Sequence, residues 1–349
     1  MAIVSLQKVL IMAGGTGGHI FPGIALANAF KAKNIGVFWL GNQSSMESNL
    51  VPQHNIPFYS ISINPLRGKG FIQKFKFPLN LLRAIFQAKK IIKQLKPDII
   101  ISMGGYVAGP GGLAAKLCRI PLVIHEQNSI AGMTNKFLAK FASHIYTGFP
   151  DVFKNGNFVG NPVRSDIEKV PVKNLLPSEE INIFVVGGSR GAKILNDIIP
   201  EAVKLLPSEI KLNIFHQTGE NGLAMYGSSS AEVSPFVNNM AEKYHWADIV
   251  ICRAGALTIA EITSVGIPAI LIPYPHAVDD HQTTNANYLV QHNAAVLLPQ
   301  TQLTPQKLSE VLVNLITDDQ KRLAMAKASR ELRKEKVAEK IVDFILSSH

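Results

Sequence analysis

The chain has 349 residues, 47% of them apolar and 17% charged, and carries a net charge of +10. This length suits two domains, and the composition excludes a disordered or fibrous chain. Two distant cysteines, Cys118 and Cys252, exclude a disulfide framework, and the apolar stretch before Gly14 is too short for a signal peptide or a spanning helix, so we expect a cytoplasmic protein.

Short β-branched runs alternate with longer amphipathic segments from residue 9 to residue 147, and the same alternation restarts near residue 181. Buried strands that alternate with helices are typical of parallel sheets covered on both faces. We therefore predict an α/β protein of two Rossmann-like, doubly wound domains that face each other across a cleft. The predicted domains are 1–162 and 163–332, joined within 156–171, and a helix at about 333–349 is expected to pack back on the first domain.

Two glycine-rich turns, GGTGGH at 14–19 and GGSRGA at 187–192, each lead from a strand into a helix. Their backbone amides and the positive helix ends suit a phosphate, although each turn alone could serve only packing. A Walker loop would need Gly-Lys-Ser/Thr where Gly18, His19 and Ile20 stand, and the acidic residue of a dinucleotide site is missing after Leu40. The pair of turns predicts a polyphosphate ligand that is neither ATP in a Walker loop nor NAD.

A third turn, CRAGALT at 252–258, precedes a predicted helix that contains Glu261. A carboxylate there can accept both hydroxyls of a ribose, while Thr258 and the amides of 256–258 reach phosphate oxygens. The alternative is that Glu261 only complements the dipole of its own helix.

The polar loop at 273–286 contains His276, Asp279, Asp280 and His281. Their adjacent spacing places them on different faces of the loop and helix, so we expect no metal site.

Seven motifs together closely resemble one family, the bacterial N-acetylglucosaminyltransferases of peptidoglycan synthesis. They are GGTGGHIFPG, GGYVAGPGG, HEQN, VGNPVR, GGSRGA, CRAGALT and HQTTNA, in the family's order from about residue 8 onward. The resemblance implies a glycosyltransferase-B fold and inverting transfer of GlcNAc from UDP-GlcNAc to the C4 hydroxyl of MurNAc in undecaprenyl-diphospho-MurNAc-pentapeptide, which converts lipid I into lipid II. It implies no required cofactor, and a peripheral location on the cytoplasmic face of the bacterial cell membrane.

The same resemblance assigns the site residues motif by motif, with the nucleotide in the C-terminal domain and the lipid diphosphate in the N-terminal domain. The residues expected to bind UDP-GlcNAc are Thr16, Gly17, Gly18, Asn128, Arg164, Ser189, Val237, Met240, Ala256, Leu257, Thr258, Glu261 and Gln282. Those expected to bind the acceptor or its diphosphate are Gly14, Gly15 and Tyr106.

The catalytic base has two candidates, His19 and Glu126 of the HEQN motif. Imidazole titrates near neutral pH and suits proton abstraction, but His19 could instead only bind the sugar or the diphosphate. Glu126 could instead be a structural carboxylate that orients Asn128 or its loop.

Positive charge is concentrated in the first half of the chain. Residues 1–163 hold 17 lysines and arginines against four acidic residues, and 48–97 hold no Asp or Glu. Within 67–96, nine basic residues interleave with aromatic and aliphatic ones, which suits an anionic membrane surface, although an ordinary amphipathic helix with its phenylalanines packed inside is the alternative. We expect 71–78 to contact lipid and Leu81 onward to pack in part. The predicted membrane residues are Phe71, Lys74, Phe75, Lys76 and Phe77.

Two other functions are compatible with these patterns. One is a different UDP-sugar enzyme of the same fold, an epimerase or a glycolipid transferase. The other is a basic nucleic-acid-binding module, which we do not expect because the N-terminal cations are mostly lysines in an apolar stretch and no known motif is present.

Overall fold

The computed structural model describes residues 6–63, 71–172, 180–188, 191–220, 222, 226 and 231–348, without the side chains of 71–76 and 278. The predicted site residue Ser189, and the side chains of the predicted membrane residues Phe71, Lys74, Phe75 and Lys76, lie outside these described parts. The chain divides into two compact units: Met1–Arg164 with Lys336–His349, and Ser165–Glu335.

The first unit is built on a parallel sheet. Its strands are β1 (Lys8–Met12), β2 (Gly36–Gly41), β3 (Phe58–Ser60), β4 (Ile99–Ser102), β5 (Leu122–Glu126), β6 (His144–Thr147) and β7 (Asn157–Phe158). They lie in the order β3-β2-β1-β4-β5-β6-β7, and Ile11 of β1 pairs with Trp39 on one side and Ile101 on the other. Every residue of β4 is buried, as expected of a central strand covered on both faces.

Helices cover both faces of this sheet. They are α1 (Gly17–Ala32), α2 (Glu47–Leu50), α3 (Phe71–Leu95), α4 (Ala108–Cys118) and α5 (Met133–Leu138). One side of α3 is buried, where Ala84, Ala88 and Ile92 join the core beneath Leu10 and Met12. In the ranges that the structure describes, no helix is long and apolar enough to cross a membrane.

The second unit repeats this plan on a six-stranded parallel sheet. Its helices and strands are α6 (Ser165–Glu168), β8 (Glu180–Val186), α7 (Lys193–Lys204), β9 (Lys211–Gln217), β10 (Ala231–Ser234), α8 (Met240–Trp246), β11 (Ile249–Cys252), α9 (Ala256–Val265), β12 (Ala269–Leu271), α10 (His281–Val290), β13 (Val296–Leu297), α11 (Pro305–Ile316) and α12 (Asp319–Glu331). The strand order is β10-β9-β8-β11-β12-β13. The prediction of two parallel α/β sheets is confirmed.

The last helix, α13 (Val337–Ser347), belongs to the first unit. Its residues Val337, Ile341 and Ile345 are buried in one core with Leu26 and Phe30 of α1. The preceding helix, α12, stays with the second unit.

Both sheets change direction at a central strand. The strand order reverses between β1 and β4 in the first sheet and between β8 and β11 in the second. In open α/β sheets, ligands bind outside the carboxyl ends of strands at such reversal points. The turns at 14–19 and 104–106 follow β1 and β4, while Gly187 and Gly188 follow β8 and the turn at 253–256 follows β11.

Candidate active site

The first glycine-rich turn joins β1 to α1. Gly15 has φ of 103°, a conformation that suits glycine, and the backbone of Thr16 is extended before the helix begins at Gly17. The His19 N–H donates to the Thr16 carbonyl over 3.1 Å. Thr16 and Gly18 are exposed, and the Thr16 side chain does not cap the helix. The turn therefore presents polar backbone to solvent at the first reversal point.

The imidazole of His19 is half-buried against the turn that follows β4. Its Nδ1 lies 3.4 Å from the Thr16 hydroxyl. A Cβ added at Gly104 would lie 3.2 Å from His19 Cδ2 and 3.3 Å from Nε2, so a side chain there would crowd the ring. Gly104 also has φ of 94°. The end of β4 thus leaves room for the ring of His19, whose own position is set by the start of α1.

A buried carboxylate, Glu47, closes the first turn from behind. It is fully buried at the start of α2, and its Oε2 accepts the Gly15 N–H over 3.2 Å while Oε1 accepts the Asn42 N–H over 3.0 Å. A Cβ at Gly14 would lie only 2.6 Å from Glu47 Oε1. The Gly15 N–H donates to Glu47, so the prediction that Gly15 binds a diphosphate stays a prediction that concerns the rest of the residue. Nothing in the sequence pattern singled out this glutamate.

Tyr106 contacts the same turn from the end of β4. A Cβ on Gly15 would lie 3.3 Å from the Tyr106 ring, and the Tyr106 hydroxyl is hydrogen-bonded to Ser45. Burial raises the pKa of Tyr106, the bond to Ser45 opposes this, and the charge of Glu47 adds to it. The structure therefore brings together Gly14, Gly15, His19 and Tyr106 as the sequence predicts.

Glu126 is buried at the end of β5 and is saturated with hydrogen-bond donors. Its Oε1 accepts the Asn128 N–H over 3.1 Å and the Asn128 side-chain amide over 3.4 Å. Its Oε2 accepts the Gly132 N–H over 3.1 Å and the Asn135 amide over 2.9 Å. These four donors fix the position of the carboxylate. This arrangement favours the structural interpretation of Glu126, since it orients Asn128.

His125 of the same motif links β5 to the end of the first unit. Its Nε2 lies 2.9 Å from the Gly160 carbonyl, which can only accept, so Nε2 carries the proton and Nδ1 accepts from Gln127 over 3.0 Å. Burial lowers the pKa of His125 to about 4, so the ring is neutral at neutral pH. Four residues beyond Gly160, the guanidinium of Arg164 lies over the ring of Phe21, 5.5 Å from its centroid.

In the second unit, Glu261 lies on α9 beyond its first turn. The helix begins at Ala256, so a purely helix-dipole role for Glu261 is weakened. Its carboxylate is buried, and Oε2 accepts a 2.9 Å hydrogen bond from Tyr244. Ala256 and Leu257 are buried and Thr258 is half-buried at the start of the helix.

Nearby loops of the second unit carry the remaining predicted donor residues. Gln282, in the first turn of α10, accepts the Tyr274 N–H through Oε1 over 2.8 Å. Arg253 donates to the Ile272 carbonyl over 3.1 Å. Val237 is buried, and Met240 is half-buried where α8 begins.

No group of three or more histidines, cysteines or acidic residues within the described residues could hold a metal ion. Asp279 and Asp280 both have positive φ, and Asp280 Oδ1 accepts a hydrogen bond of 2.7 Å from Thr283. The polar loop before α10 is therefore organised by hydrogen bonds to its own helix.

Two domain families cover most of the chain. The glycosyltransferase family 28 N-terminal domain matches residues 9–147, and the glycosyltransferase family 28 C-terminal domain matches residues 182–341. The chain is 43% identical over 355 residues to a UDP-N-acetylglucosamine--N-acetylmuramyl-(pentapeptide) pyrophosphoryl-undecaprenol N-acetylglucosamine transferase of Xylella fastidiosa (strain M12), covering 99% of this chain and 97% of the relative. It is 46% identical over 344 residues to the protein of that name in Dechloromonas aromatica (strain RCB), covering 96% and 97%.

Solved structures agree with these relatives. A crystal structure of Acinetobacter baumannii MurG superposes with a TM-score of 0.84 at 40% identity and covers 98% of this chain and 99% of that chain. A UDP-N-acetylglucosamine 2-epimerase at 13% identity, with a TM-score of 0.69 and coverage of 99% and 96%, shares the fold alone.

The two parallel sheets, with glycine-rich turns at both reversal points, define a two-domain sugar-nucleotide enzyme of the glycosyltransferase-B fold. The chain belongs to glycosyltransferase family 28 and, within it, to the family of UDP-N-acetylglucosamine--N-acetylmuramyl-(pentapeptide) pyrophosphoryl-undecaprenol N-acetylglucosamine transferases.

Proposed function

We propose that this protein transfers GlcNAc from UDP-GlcNAc to the C4 hydroxyl of MurNAc in undecaprenyl-diphospho-MurNAc-pentapeptide, with inversion. The observation that carries the proposal is the 43–46% identity over nearly the whole chain to relatives named for this reaction. The residues clustered at the reversal point of each sheet support it, because they supply the chemistry that the reaction needs.

The second unit binds the donor in this proposal. Glu261 accepts the ribose hydroxyls, and the hydrogen bond from Tyr244 to its Oε2 orients the carboxylate for that role. The amides that open α9 at 256–258 receive the diphosphate, and oriented donors of this kind stabilise a leaving anion by about 3 kcal/mol each. Val237 and Met240 flank the uracil, and Gln282 and Ser189 complete the donor set of this unit. Arg164, the last residue of the first segment of the other unit, is a further predicted donor residue.

The first unit binds the acceptor and supplies the base. The acceptor oxygen attacks the anomeric carbon opposite UDP, the new C–O bond forms as the bond to the diphosphate oxygen breaks, and the electron pair leaves with UDP. His19 takes the hydroxyl proton, because its ring is half-buried at a helix start where a neutral imidazole can accept it. Glu126 acts through Asn128, since its hydrogen bonds to Asn128, Gly132 and Asn135 hold the loop in place. Gly14 and Tyr106 line the acceptor side, and the predicted UDP-GlcNAc contacts of this unit are Thr16, Gly17, Gly18 and Asn128.

No resident cofactor is needed in this scheme. The leaving diphosphate is neutralised by backbone amides and cationic side chains in place of a metal ion.

Helix α3 docks the enzyme on the anionic inner surface of the bacterial membrane in this proposal. Three of its apolar side chains, Leu79, Leu82 and Phe86, are 72%, 52% and 66% exposed. They share one helix face with the exposed cations Arg83 and Lys90. An exposed apolar face edged by cations suits a lipid surface of negative charge. This face extends past Leu81, further along the helix than the sequence predicts, while Phe77 is half-buried.

Transfer of labelled GlcNAc from UDP-GlcNAc to a lipid I analogue in the presence of EDTA tests the proposal. We expect a product with one added GlcNAc and no comparable transfer from UDP-glucose or UDP-galactose. Absence of transfer would overturn the function, whereas conversion of UDP-GlcNAc to its 2-epimer would indicate the epimerase alternative. Loss of transfer only when EDTA is present would overturn the metal-free scheme.

A further inference from the structure

The acidic residues of the first 163 positions are few, and the structure gives three of them a shared role. There are four: Glu47, Asp98, Glu126 and Asp151. Asp98 accepts the backbone N–H groups of Gln7 and Lys8 at the start of β1, and Glu126 accepts those of Asn128 and Gly132 after β5. Glu47 accepts those of Gly15 and Asn42. In this basic half of the protein, these three carboxylates accept hydrogen bonds from backbone N–H groups and so fix the conformation of the chain.

Of the four, Glu47 occupies the position that is least favourable for a carboxylate. Its side chain is fully buried, and in the described part of the chain no cation forms an ion pair with it. Burial of an ionised carboxylate without a cation is unfavourable unless its oxygens are hydrogen-bonded. Its two accepted N–H groups come from the turn after β1 and the turn after β2, so the carboxylate joins the two.

The turn after β1 also packs against the turn after β4, which lies beside the candidate base. Gly14 leaves no room for a side chain because Glu47 Oε1 occupies that space, and a Cβ at Gly105 would overlap the Gly14 carbonyl oxygen. The next glycine, Gly104, contacts the His19 ring. Glu47, the Gly14 backbone and the 104–105 backbone therefore form a continuous packed layer beneath His19.

We propose that Glu47 is a positioning residue for the transfer reaction, which fixes the Gly14–Gly15 turn and thereby the place of His19. The proposal rests on the function given above and on His19 as base. It also assigns the anion-binding amides of this turn to the residues after Gly15, because the Gly15 N–H is held by Glu47.

Replacement of Glu47 by Gln tests the proposal. A carboxylate offers an acceptor to both N–H groups, whereas an amide must turn its NH2 toward one of them, which leaves two donors facing each other. We expect kcat to fall about 10- to 100-fold, because small displacements of a reacting group have effects of that size. The KM for UDP-GlcNAc should change less than kcat, since most of the proposed donor residues, Glu261 and Thr258 among them, belong to the other unit.

Asp98→Asn is the matched control. It removes an acidic side chain that also accepts two backbone N–H groups on β1, at the end of the strand remote from the turn. We expect its kcat to be that of the unmodified enzyme. An equal fall in both variants would mean that the loss of charge or of strand stability is responsible, and would overturn the positioning role.

Amide hydrogen exchange measured by NMR provides a readout that does not depend on activity. The Gly15 N–H should be protected in the unmodified protein and should exchange faster in Glu47→Gln, while the amides of the second unit stay unchanged. Unchanged protection together with unchanged kcat would overturn the inference. Absence of GlcNAc transfer by the unmodified enzyme would instead overturn the proposed function, and the exchange result would still report on the turn.

Discussion

The hydroxyl of Tyr244 donates a 2.9 Å hydrogen bond to Glu261 Oε2. Tyr244 is fully buried, and its ring packs edge-on against Phe184 with centroids 5.6 Å apart. A rigid aromatic side chain on α8 therefore sets the orientation of the carboxylate on α9.

Tyr244→Phe should weaken donor binding while leaving the fold intact. The variant removes only the hydroxyl, and a hydrogen bond to a charged group contributes about 1.5–3 kcal/mol. We expect the KM for UDP-GlcNAc to rise about tenfold or more with little change in kcat, and the midpoint of thermal unfolding to move by only a few degrees. Steady-state kinetics and thermal unfolding measure both. An unchanged KM would show that Glu261 does not bind the donor in this orientation.

His19→Ala should remove most of the transfer activity. General base catalysis contributes about 10²- to 10⁴-fold, and kcat should fall within that range. A base must be unprotonated, so activity rises with pH as it titrates, and this rise should be lost in the variant. The pH dependence of kcat and the affinity for UDP are the measurements, with His292→Asn, an exposed histidine of α10's C-terminal end, as the control. Near-normal turnover at saturating acceptor would exclude His19 as the base.

Glu126→Gln separates the structural role from the catalytic one. Each carboxylate oxygen of Glu126 accepts hydrogen bonds from two donors. In the variant, the side-chain NH2 would replace one of these oxygens and face two donors, so the protein should lose about 1–3 kcal/mol of stability. We expect kcat to fall by less than about tenfold, with its rise with pH retained. A loss as large as that of His19→Ala, together with loss of the pH-dependent rise, would make Glu126 the base.

Much of the fold follows from local sequence. Central parallel strands are buried on both faces and therefore appear as continuous β-branched runs such as Ile99 to Ile101. Glycines at 14–15 and 104–105 mark places where backbone approaches backbone or a ring, which only glycine permits. These local signals were sufficient to predict the two sheets and the turns that carry the candidate site.

The side-chain arrangement of the site could not be predicted in the same way. Glu47 bonds to Gly15 across 32 positions, and Tyr244 bonds to Glu261 across 17. Such bonds depend on tertiary placement and leave no periodic signal. The exposed face of α3 was also underestimated, because apolar residues lie on both sides of that helix and only packing shows that Ala84 faces inward while Phe86 faces outward.

Two buried neutral histidines should make stability depend on pH. Burial lowers the pKa of His125 in the first unit and of His216 in the second from 6.5 to about 4. Between about pH 4 and pH 6.5 the unfolded chain binds more protons than the folded protein does. The free energy of unfolding therefore falls as the pH decreases from about 6.5, and it levels off below about pH 4. Each group contributes at most about 1.4 kcal/mol per pH unit in this window.

His125→Gln isolates one of these contributions. In a Trp246→Phe background, the fluorescence of Trp39, buried on β2, reports the unfolding of the first unit alone. The free energy of unfolding is measured at about pH 7 and at about pH 5 in both proteins. We expect its decrease between these two pH values to be about 2 kcal/mol smaller in the variant than in the parent protein. Identical pH dependence in both would show that His125 is not held neutral in the folded state.

The exposed face of α3 should carry membrane binding. Leu82→Glu with Phe86→Glu places two carboxylates where two apolar side chains would enter the lipid surface, and each apolar side chain contributes about 2 kcal/mol when buried. We expect binding to vesicles of phosphatidylglycerol and phosphatidylethanolamine to weaken by about 100-fold or more, since 1.4 kcal/mol corresponds to a tenfold change. Transfer to a short-chain, water-soluble acceptor should be retained because α3 is outside the proposed site.

Leu323→Glu, at a 48% exposed position on α12, is the control and should bind vesicles as the parent does. Equal binding by the double variant would place the membrane contact elsewhere, and equal loss in the Leu323 variant would mean that added negative charge alone is responsible.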